Sequence, residues 1–457
     1  MTSSPEPQAA CRHPRRDPLP DLRPFRALRY ESSRVSDMAA VVAPPYDVID
    51  AATRARLVAR DPANVVRLDM PVEEPGDGPD DRYRRAARTL AAWRSDGTLR
   101  KDPQPSIYVY EQRYRVPGTE RERTQRGFFA RLRLEPYGPD SGVLPHERTL
   151  SGPKEDRYKL LRATGVNTSP VVVLFDDISG GTEERLAAVA GGPPDVDVTD
   201  DDGVCHRMWA LPASGDGPAS IVAGSLLEAG GAAPVTIADG HHRYETALRY
   251  RDERRMSRSC DEDPAFDYVL VLMLEATRQE LTVLPTHRLV RRIGSDGAGR
   301  LFALAPELFD VETVASSEEL VEGVSGDASG GRGRFGLWTR SGGAILTARR
   351  DAFQPLLATG GEAVRSLDVT LLATALDQLA GIDADAVTDG AVGYTKSAED
   401  AIAAVDTGSG ADAAFLLEPT PVVTIEAVAR EGDVMPQKST YFYPKALTGL
   451  VINPHEW

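Results

Sequence analysis

Residues 237–248, Ile-Ala-Asp-Gly-His-His-Arg-Tyr-Glu-Thr-Ala-Leu, set an acid, a glycine, two imidazoles and a guanidinium into one short step. That mixture suits the handling of phosphate. Residues 234–238 read as a short buried strand, and Tyr244, Ala247 and Leu248 recur at helical spacing. Gly240 therefore falls at a turn, and a helix is expected to begin at the histidines. A helix N-terminus offers amide donors and the positive end of the macrodipole, so an anion there would meet them together with Gly240, His241, His242 and Arg243. Asp239, just before the turn, could carry Mg²⁺ or take a proton from a substrate hydroxyl. The adjacent imidazoles diverge by about 100° around a helix and are poorly placed to share one metal.

Four other segments carry chemistry-bearing side chains. Residues 43–49 end an apolar run in a rigid Pro-Pro turn that displays Tyr46 and Asp47; Asp47 could cap the following helix or serve a site. Residues 146–157 crowd charged and imidazole side chains together without apolar periodicity and are expected to form a site loop. Within it, Glu147 could act as a base or metal ligand beside His146, and Arg148, Lys154 and Arg157 could neutralise phosphate or simply line an exposed face. Thr286-His287-Arg288 follows a strand and Pro285, which could set His287 and Arg288 at the same cleft edge or leave them as a structural pair. Residues 437–445 combine Lys438 and Lys445 with three aromatic rings, suited to holding an anion or stacking a base, or else forming an exposed strand.

Together, APPYDVI (43–49), HERTLSGPKEDR (146–157), IADGHHRYETAL (237–248), VLPTHR (283–288) and MPQKSTYFYPK (435–445) resemble, nearly end to end, the hallmarks of the prokaryotic family catalogued as domain of unknown function 1015. The DGHHR element also resembles the phosphate-binding signature of the ParB/sulfiredoxin superfamily, which includes CTP-binding partition proteins, sulfiredoxins and kinases acting on free serine. The resemblance implies an α+β fold with a ParB/sulfiredoxin-like nucleotide-binding core, and the kinase branch is the closest in layout. Asp47 then lies where a substrate-binding or catalytic carboxylate is expected. The function expected is transfer of phosphate from a nucleotide, ATP or ADP with CTP as an alternative, to a small hydroxyl-bearing metabolite such as free serine. Asp47, Glu147 or Asp239 would act on the hydroxyl, and Mg²⁺ on Asp239 and Glu147 would bridge the phosphates. A nucleotide-gated binding protein or a phosphoester hydrolase would need the same turn.

Composition bounds these readings. A chain of 457 residues exceeds what one core usually serves. The expected division is a disordered tail over 1–20, a core over 21–290 with a large insertion around 71–220, and a C-terminal α/β subdomain over 291–457. Hydrophobic residues make up 41% without a bilayer-length run, and the N-terminus lacks an apolar signal segment, so a cytoplasmic protein without a membrane partner is expected. Three scattered cysteines argue against a disulfide framework. A formal net charge of −16 opposes nucleic acid as partner. No GxxxxGK[ST] occurs, and the GxGxxG match at 331–336 runs into a strand rather than a helix, so neither common nucleotide fingerprint applies.

Local patterns predict strands at 39–42, 65–68, 170–175, 266–274, 281–284 and 425–429. They predict helices at 51–58, 82–95 and 157–163, a hairpin from 106–116 and 124–134, and linkers at 292–300 and 324–334.

Overall fold

The computed structural model describes residues 19–138, 141–147, 151–257, 262–325, 333–357, 360–408 and 410–457. The tail expected over 1–20 lies, as far as residue 18, outside the described residues, as do Arg148, Cys11 and Cys260. Helices and strands mix throughout, as an α+β protein requires. Among the described residues no helix is long and apolar enough to cross a membrane.

Contacts group the chain into two units. The larger takes 1–144, 150–280 and 444–457, and the smaller 145–149 and 281–443. The boundary thus falls near 280 rather than 290, and segment 444–457 leaves the subdomain expected over 291–457. The reason is bonding: Lys445 O accepts from Gln112 Nε2 at 3.1 Å, and Leu447 N donates to the Tyr110 hydroxyl at 3.4 Å, both on a strand of the large sheet.

In the larger unit, β1 (Leu22–Arg23), β2 (Ser106–Arg115), β3 (Glu122–Arg133), β4 (Val143–Leu144) and β5 (Val171–Phe175) join β6 (Val196–Thr199), β7 (Cys205–Pro212), β8 (Val235–Asp239) and β9 (Tyr268–Glu275). They form one nine-stranded sheet in the order β4-β8-β5-β9-β3-β2-β7-β6, with β1 paired to β3. Residues 71–220, expected as an insertion, supply β2 to β7 and so build the sheet itself. Side chains alternate across it. Val109, Phe128, Val173 and Ile237 face helices α3 (Ser151–Thr164), α4 (Thr182–Ala190), α5 (Pro218–Gly230) and α6 (His241–Ser257), where Leu161, Leu186, Leu226 and Tyr244 complete the core. On β2 the opposite face carries Tyr108, whose hydroxyl accepts from Ala27 N at 3.0 Å and donates to Asp102 at 2.6 Å. Both faces are covered, which explains why β9 is buried along its whole length.

Helices α1 (Ala51–Arg60) and α2 (Asp81–Ser95) fall close to their expected places, and Gly97, with φ of 82°, follows the end of α2. The strands expected at 39–42 and 65–68 are instead single helical turns, Met38–Val41 and Val66–Asp69. Short apolar runs do not distinguish the two states, and local side-chain bonds decide: Asp37 caps the first turn by accepting from Ala39 N, and Asn64, just before the second, accepts from Val66 N. The expected loop at 146–157 likewise gives way to helix from Ser151 onward.

The smaller unit holds a six-stranded antiparallel sheet of β10 (His287–Val290), β11 (Phe309–Val314), β12 (Arg334–Thr339), β13 (Gly342–Ala348), β14 (Val392–Thr395) and β15 (Ala413–Leu416), in the order β11-β13-β12-β15-β10-β14. Helices α7 (Gly294–Leu304), α8 (Ser317–Ser325), α9 (Asp368–Ala380), α10 (Ala398–Asp406) and α11 (Val422–Arg430) accompany it. Helix α7 replaces the linker expected at 292–300 because Asp412 accepts from the amides of Ile293 and Gly294 at 2.9 and 3.0 Å. Helix α11 replaces the strand expected at 425–429, entered directly after Pro421.

Arg131, on β3, ties the C-terminus to the sheet. Its side chain is fully buried, donating to Asn453 Oδ1, to Pro454 O at 2.6 Å and to Glu456 O at 3.2 Å, with Phe25 and Trp457 rings within 5.5 Å. Charge-assisted bonds and buried acceptors left unpaired set the cost of removing it. Arg131→Ala is expected to lower the unfolding free energy by about 2–4 kcal/mol, read from the midpoint of urea denaturation with the slope unchanged.

Candidate functional site

Strand β8 runs into α6 as expected, and the transition is shaped by two backbone features. The ladder with β5 shifts between Ile237 and Asp239, so an irregularity precedes the turn and re-aims the last strand residue. Gly240 follows with φ of 91°; a Cβ there would lie 2.9 Å from Arg243 Nε, so both conformation and space call for glycine. The first helical bond runs from Tyr244 N to Gly240 O at 3.0 Å. Tyr244 then anchors the helix: its buried hydroxyl donates to Glu135 O at 2.9 Å and accepts from Glu135 N at 3.0 Å.

Asp239 is held between two cations. Lys445 Nζ donates to Oδ1 at 2.8 Å and Arg243 Nη2 to Oδ2 at 2.6 Å. Burial alone would raise its proton affinity, but Lys445 and Arg243 more than offset this and hold the carboxyl well below the usual carboxylate range. Arg243 Nη1 donates to Pro170 O, so the guanidinium expected to grip phosphate spends both terminal nitrogens on the protein. His241 is buried and His242 half-buried on the first turn of α6.

The segment carrying Lys445 is also stitched to the one carrying Asp47. Thr448 N donates to Ala43 O at 2.8 Å, and Ala43 N to Thr448 O at 3.3 Å, one residue before the Pro-Pro turn. Tyr46, Asp47 and Val48 then form a short 3₁₀ turn on which Asp47 is exposed. The cap of α1 is Asp50, which accepts from Thr53 N at 2.7 Å, so Asp47 is not spent on capping. Burial would weaken the positive charge of Arg243, yet Asp239, Asp47, Tyr46 and Asp69 together raise its pKa. The Pro-Pro turn and the DGHHR turn thus share one electrostatic environment.

Behind Arg243 lies a cavity of about 50 Å³ whose lining includes Tyr46, Asp69, Arg157, Thr168 and Thr246. Space of this size suits a few water molecules or a small polar group. Asp69 Oδ1 accepts from Thr168 Oγ1 at 2.6 Å, but Asp69 Oδ2 and Thr246 Oγ1 are buried without a partner among the described residues. Arg157 donates to Asp69 O at 2.6 Å and lies 4.3 Å from the Tyr46 ring centre. Burial pushes the Tyr46 phenol up to about 12 against the pull of both arginines, so it is an O–H donor at neutral pH.

The remaining candidates have partners of their own. Lys154 pairs with Glu245 of α6. His146 and Glu147 belong to the smaller unit: His146 Nε2 bonds Thr440 Oγ1 at 3.0 Å, and Glu147 bridges to Met435. His287 is a buried sheet residue whose Nδ1 accepts from Leu417 N at 3.2 Å; burial and Arg288 lower its pKa to about 4, leaving it neutral. Lys438 is exposed in the left-handed region, with its carbonyl facing Arg288. Arg148 lies outside the described residues. The Mg²⁺ expected on Asp239 and Glu147 does not fit: both Asp239 oxygens are taken by cations, and no group of three metal-ligating side chains occurs among the described residues.

Sequence reasoning passed over Asp69 and Thr246. Asp69 sits in an apolar run and Thr246 in plain helical sequence, so only their shared cavity singles them out. Lys445 was signalled by the lysine-aromatic segment, although Lys438 carried the expectation.

The clamp on Asp239 carries a pH signature. Its folded proton affinity is depressed, so its stabilisation is full above the ordinary aspartate value of 3.8, declines as pH falls below that value and is gone once pH has fallen through the lower folded value. Asp239→Asn leaves two buried cations without their counter-ion and is expected to cost roughly 3–5 kcal/mol at pH 7. Denaturation across pH should show the gap between variant and parent constant down to pH 3.8 and narrowing below it.

The family model described as a protein of unknown function, DUF1015, matches residues 22–370. No curated protein matches the chain. Similar solved structures include a conserved hypothetical protein from Pyrococcus furiosus, 14% identical over 66% of this chain and 87% of that one at a TM-score of 0.33. A free serine kinase in complex with AMP is 12% identical over 68% and 89% at 0.34. SbnI with a C-terminal truncation, from Staphylococcus aureus, is 10% identical over 67% and 82% at 0.33. Likeness at this level does not transfer a site. The matched range contains the Pro-Pro turn, the 146–157 segment, the DGHHR turn and the VLPTHR element, and on that match the chain belongs to the DUF1015 family.

Proposed function

We propose that this protein is a nucleotide-dependent phosphotransferase acting on a small hydroxyl-bearing metabolite, with free serine or a related amino acid as the first candidate. The observation that carries the reading is the Asp239 clamp: two cations hold the last residue of β8 in a fixed position at the N-terminus of α6, where helix amides and the macrodipole favour phosphate. ATP or ADP, with CTP as the alternative, would place its phosphates on the first turn of α6 beside His241 and His242. Lys445 and Arg243 contribute charge while holding the turn in shape, so little reorganisation is needed when the anion arrives.

Phosphoryl transfer asks chiefly for positioning and charge neutralisation. Asp239 is too acidic for a base, and this role goes to Asp47, exposed on its rigid turn. The cavity of Asp69, Thr246 and Tyr46 offers the acceptor one carboxylate oxygen and two hydroxyls. Asp69 Oδ1 already stands 3.5 Å from Arg157 Nη1, but its unpartnered Oδ2 suits an ammonium group, which favours an amino acid among small alcohols.

The test is ³¹P NMR of the pure protein with each nucleotide and pooled small alcohols including serine. A new phosphomonoester supports the reading; free phosphate alone indicates hydrolysis, and binding without turnover indicates a nucleotide-gated binder. Asp47→Asn is expected to lower turnover by about 10²-fold or more with nucleotide affinity retained. Unchanged phosphomonoester formation in that variant would remove Asp47 from the chemistry.

A further inference from the structure

The smaller unit contains a cavity of about 660 Å³, within the range of small-molecule sites. Leu372 and Leu376 of α9 and Ile382 just beyond it are among its apolar lining residues, and Arg288 and Tyr394 are among its polar ones. Arg288 is 6% exposed, and its bonds run to backbone carbonyls: Nη1 to Thr286 O and Nη2 to Lys438 O, the latter at 3.4 Å. No carboxylate stands at ion-pair distance from it among the described residues, and Tyr394 offers only its ring at 5.5 Å. A guanidinium has five N–H donors, so the side chain retains capacity for an anion in a bidentate grip. Burial lowers its pKa to about 10 against the upward pull of Tyr394 and Glu147, which leaves it charged at neutral pH.

The acids on the lining are already engaged or stand in the open. Asp433 accepts from Gly361 N, Asp383 caps a short helix through Ala386 N at 2.8 Å, and Asp377 is exposed. Thr370 Oγ1, also on the lining, is buried without a partner among the described residues. A buried cation that bonds only to carbonyls beside an apolar chamber is favourable ground for an anion, because Glu147 acts on it only through space.

The geometry points to a second ligand site, wholly within the smaller unit, for a small amphipathic anion whose head group pairs with Arg288 and whose apolar body fills the space along α9. Carboxylates and phosphate monoesters share this chemistry. The site is independent of the phosphotransfer reading, because every residue that forms it lies in 281–443.

Calorimetry on the full-length protein with hexanoate, hexyl phosphate and neutral 1-hexanol tests it. At least one of the two anions is expected to bind at one site, at least tenfold tighter than hexanol, and the tighter of the two identifies the head group. Arg288→Gln should erase the preference for the anion. Should that variant fail to fold, Thr374→Trp narrows the cavity from the half-buried side of α9, leaves the guanidinium in place, and should abolish binding of the anion. Equal affinity for anion and alcohol, no binding of either anion up to roughly 10 mM, or full affinity in folded Thr374→Trp would each overturn the proposal.

Discussion

The carboxylate of Asp239, between Lys445 and Arg243, is the point on which the larger unit's candidate site depends. It joins the end of β8, the start of α6 and the returning C-terminal segment, three pieces of chain that nothing local would bring together. Two cations and one anion removed from water carry a large desolvation penalty, and their attraction repays it only when geometry and further hydrogen bonds are good. Here they are: Arg243 also donates to Pro170 O, and the backbone of Lys445 is fixed by Gln112. Because Thr448 pairs with Ala43, the same segment that delivers Lys445 also places the Pro-Pro turn and Asp47.

Buried guanidinium groups recur as ties in an otherwise acidic protein. Arg131 reaches Pro454 O and Glu456 O, Arg157 reaches Asp69 O, Arg251 reaches Leu134 O, and Arg288 reaches Thr286 O. Each side chain satisfies carbonyls that a strand or helix end would leave exposed inside the protein, and the planar fork can do so in more than one direction at once. A lysine, with a compact and strongly hydrated charge, is less suited to this. Acids are buried as well, among them Asp69, Glu111, Asp267 and Glu275, so these arginines are set apart by bonding to backbone carbonyls and not by an excess of positive charge inside.

Much of the fold was legible where a signal is local. The strand, glycine turn and helix over 234–248 follow from periodicity and one residue type, and the 106–134 hairpin from two apolar runs about a Pro-Gly pair. Reading failed where a few apolar residues suit either state, as at 39–42, 65–68 and 425–429, because local side-chain bonds and neighbouring prolines decide there. The site was legible in its residue types but not in its partners. Lys445 stands 206 residues from Asp239, and no pattern in sequence announces that a carboxylate will be neutralised by a lysine rather than by a metal ion. Asp69 was invisible for a related reason: an acid within an apolar run acquires meaning only from the cavity it lines.

The two aspartates then divide by environment and not by type. An acid clamped between cations holds its proton so weakly that it cannot take one from an alcohol, however well it is aimed. What Asp239 gains is fixity: with both oxygens bound, it sets the orientation of the turn, the position of Arg243 and the path of the C-terminal segment. Asp47 is the converse. The prolines before it restrict the backbone, Asp50 takes the capping role that would have consumed its oxygens, and the side chain stays open to solvent. A carboxylate that must meet a substrate has to be both positioned and unspent, and near this turn Asp47 meets those two conditions where Asp239 meets only the first.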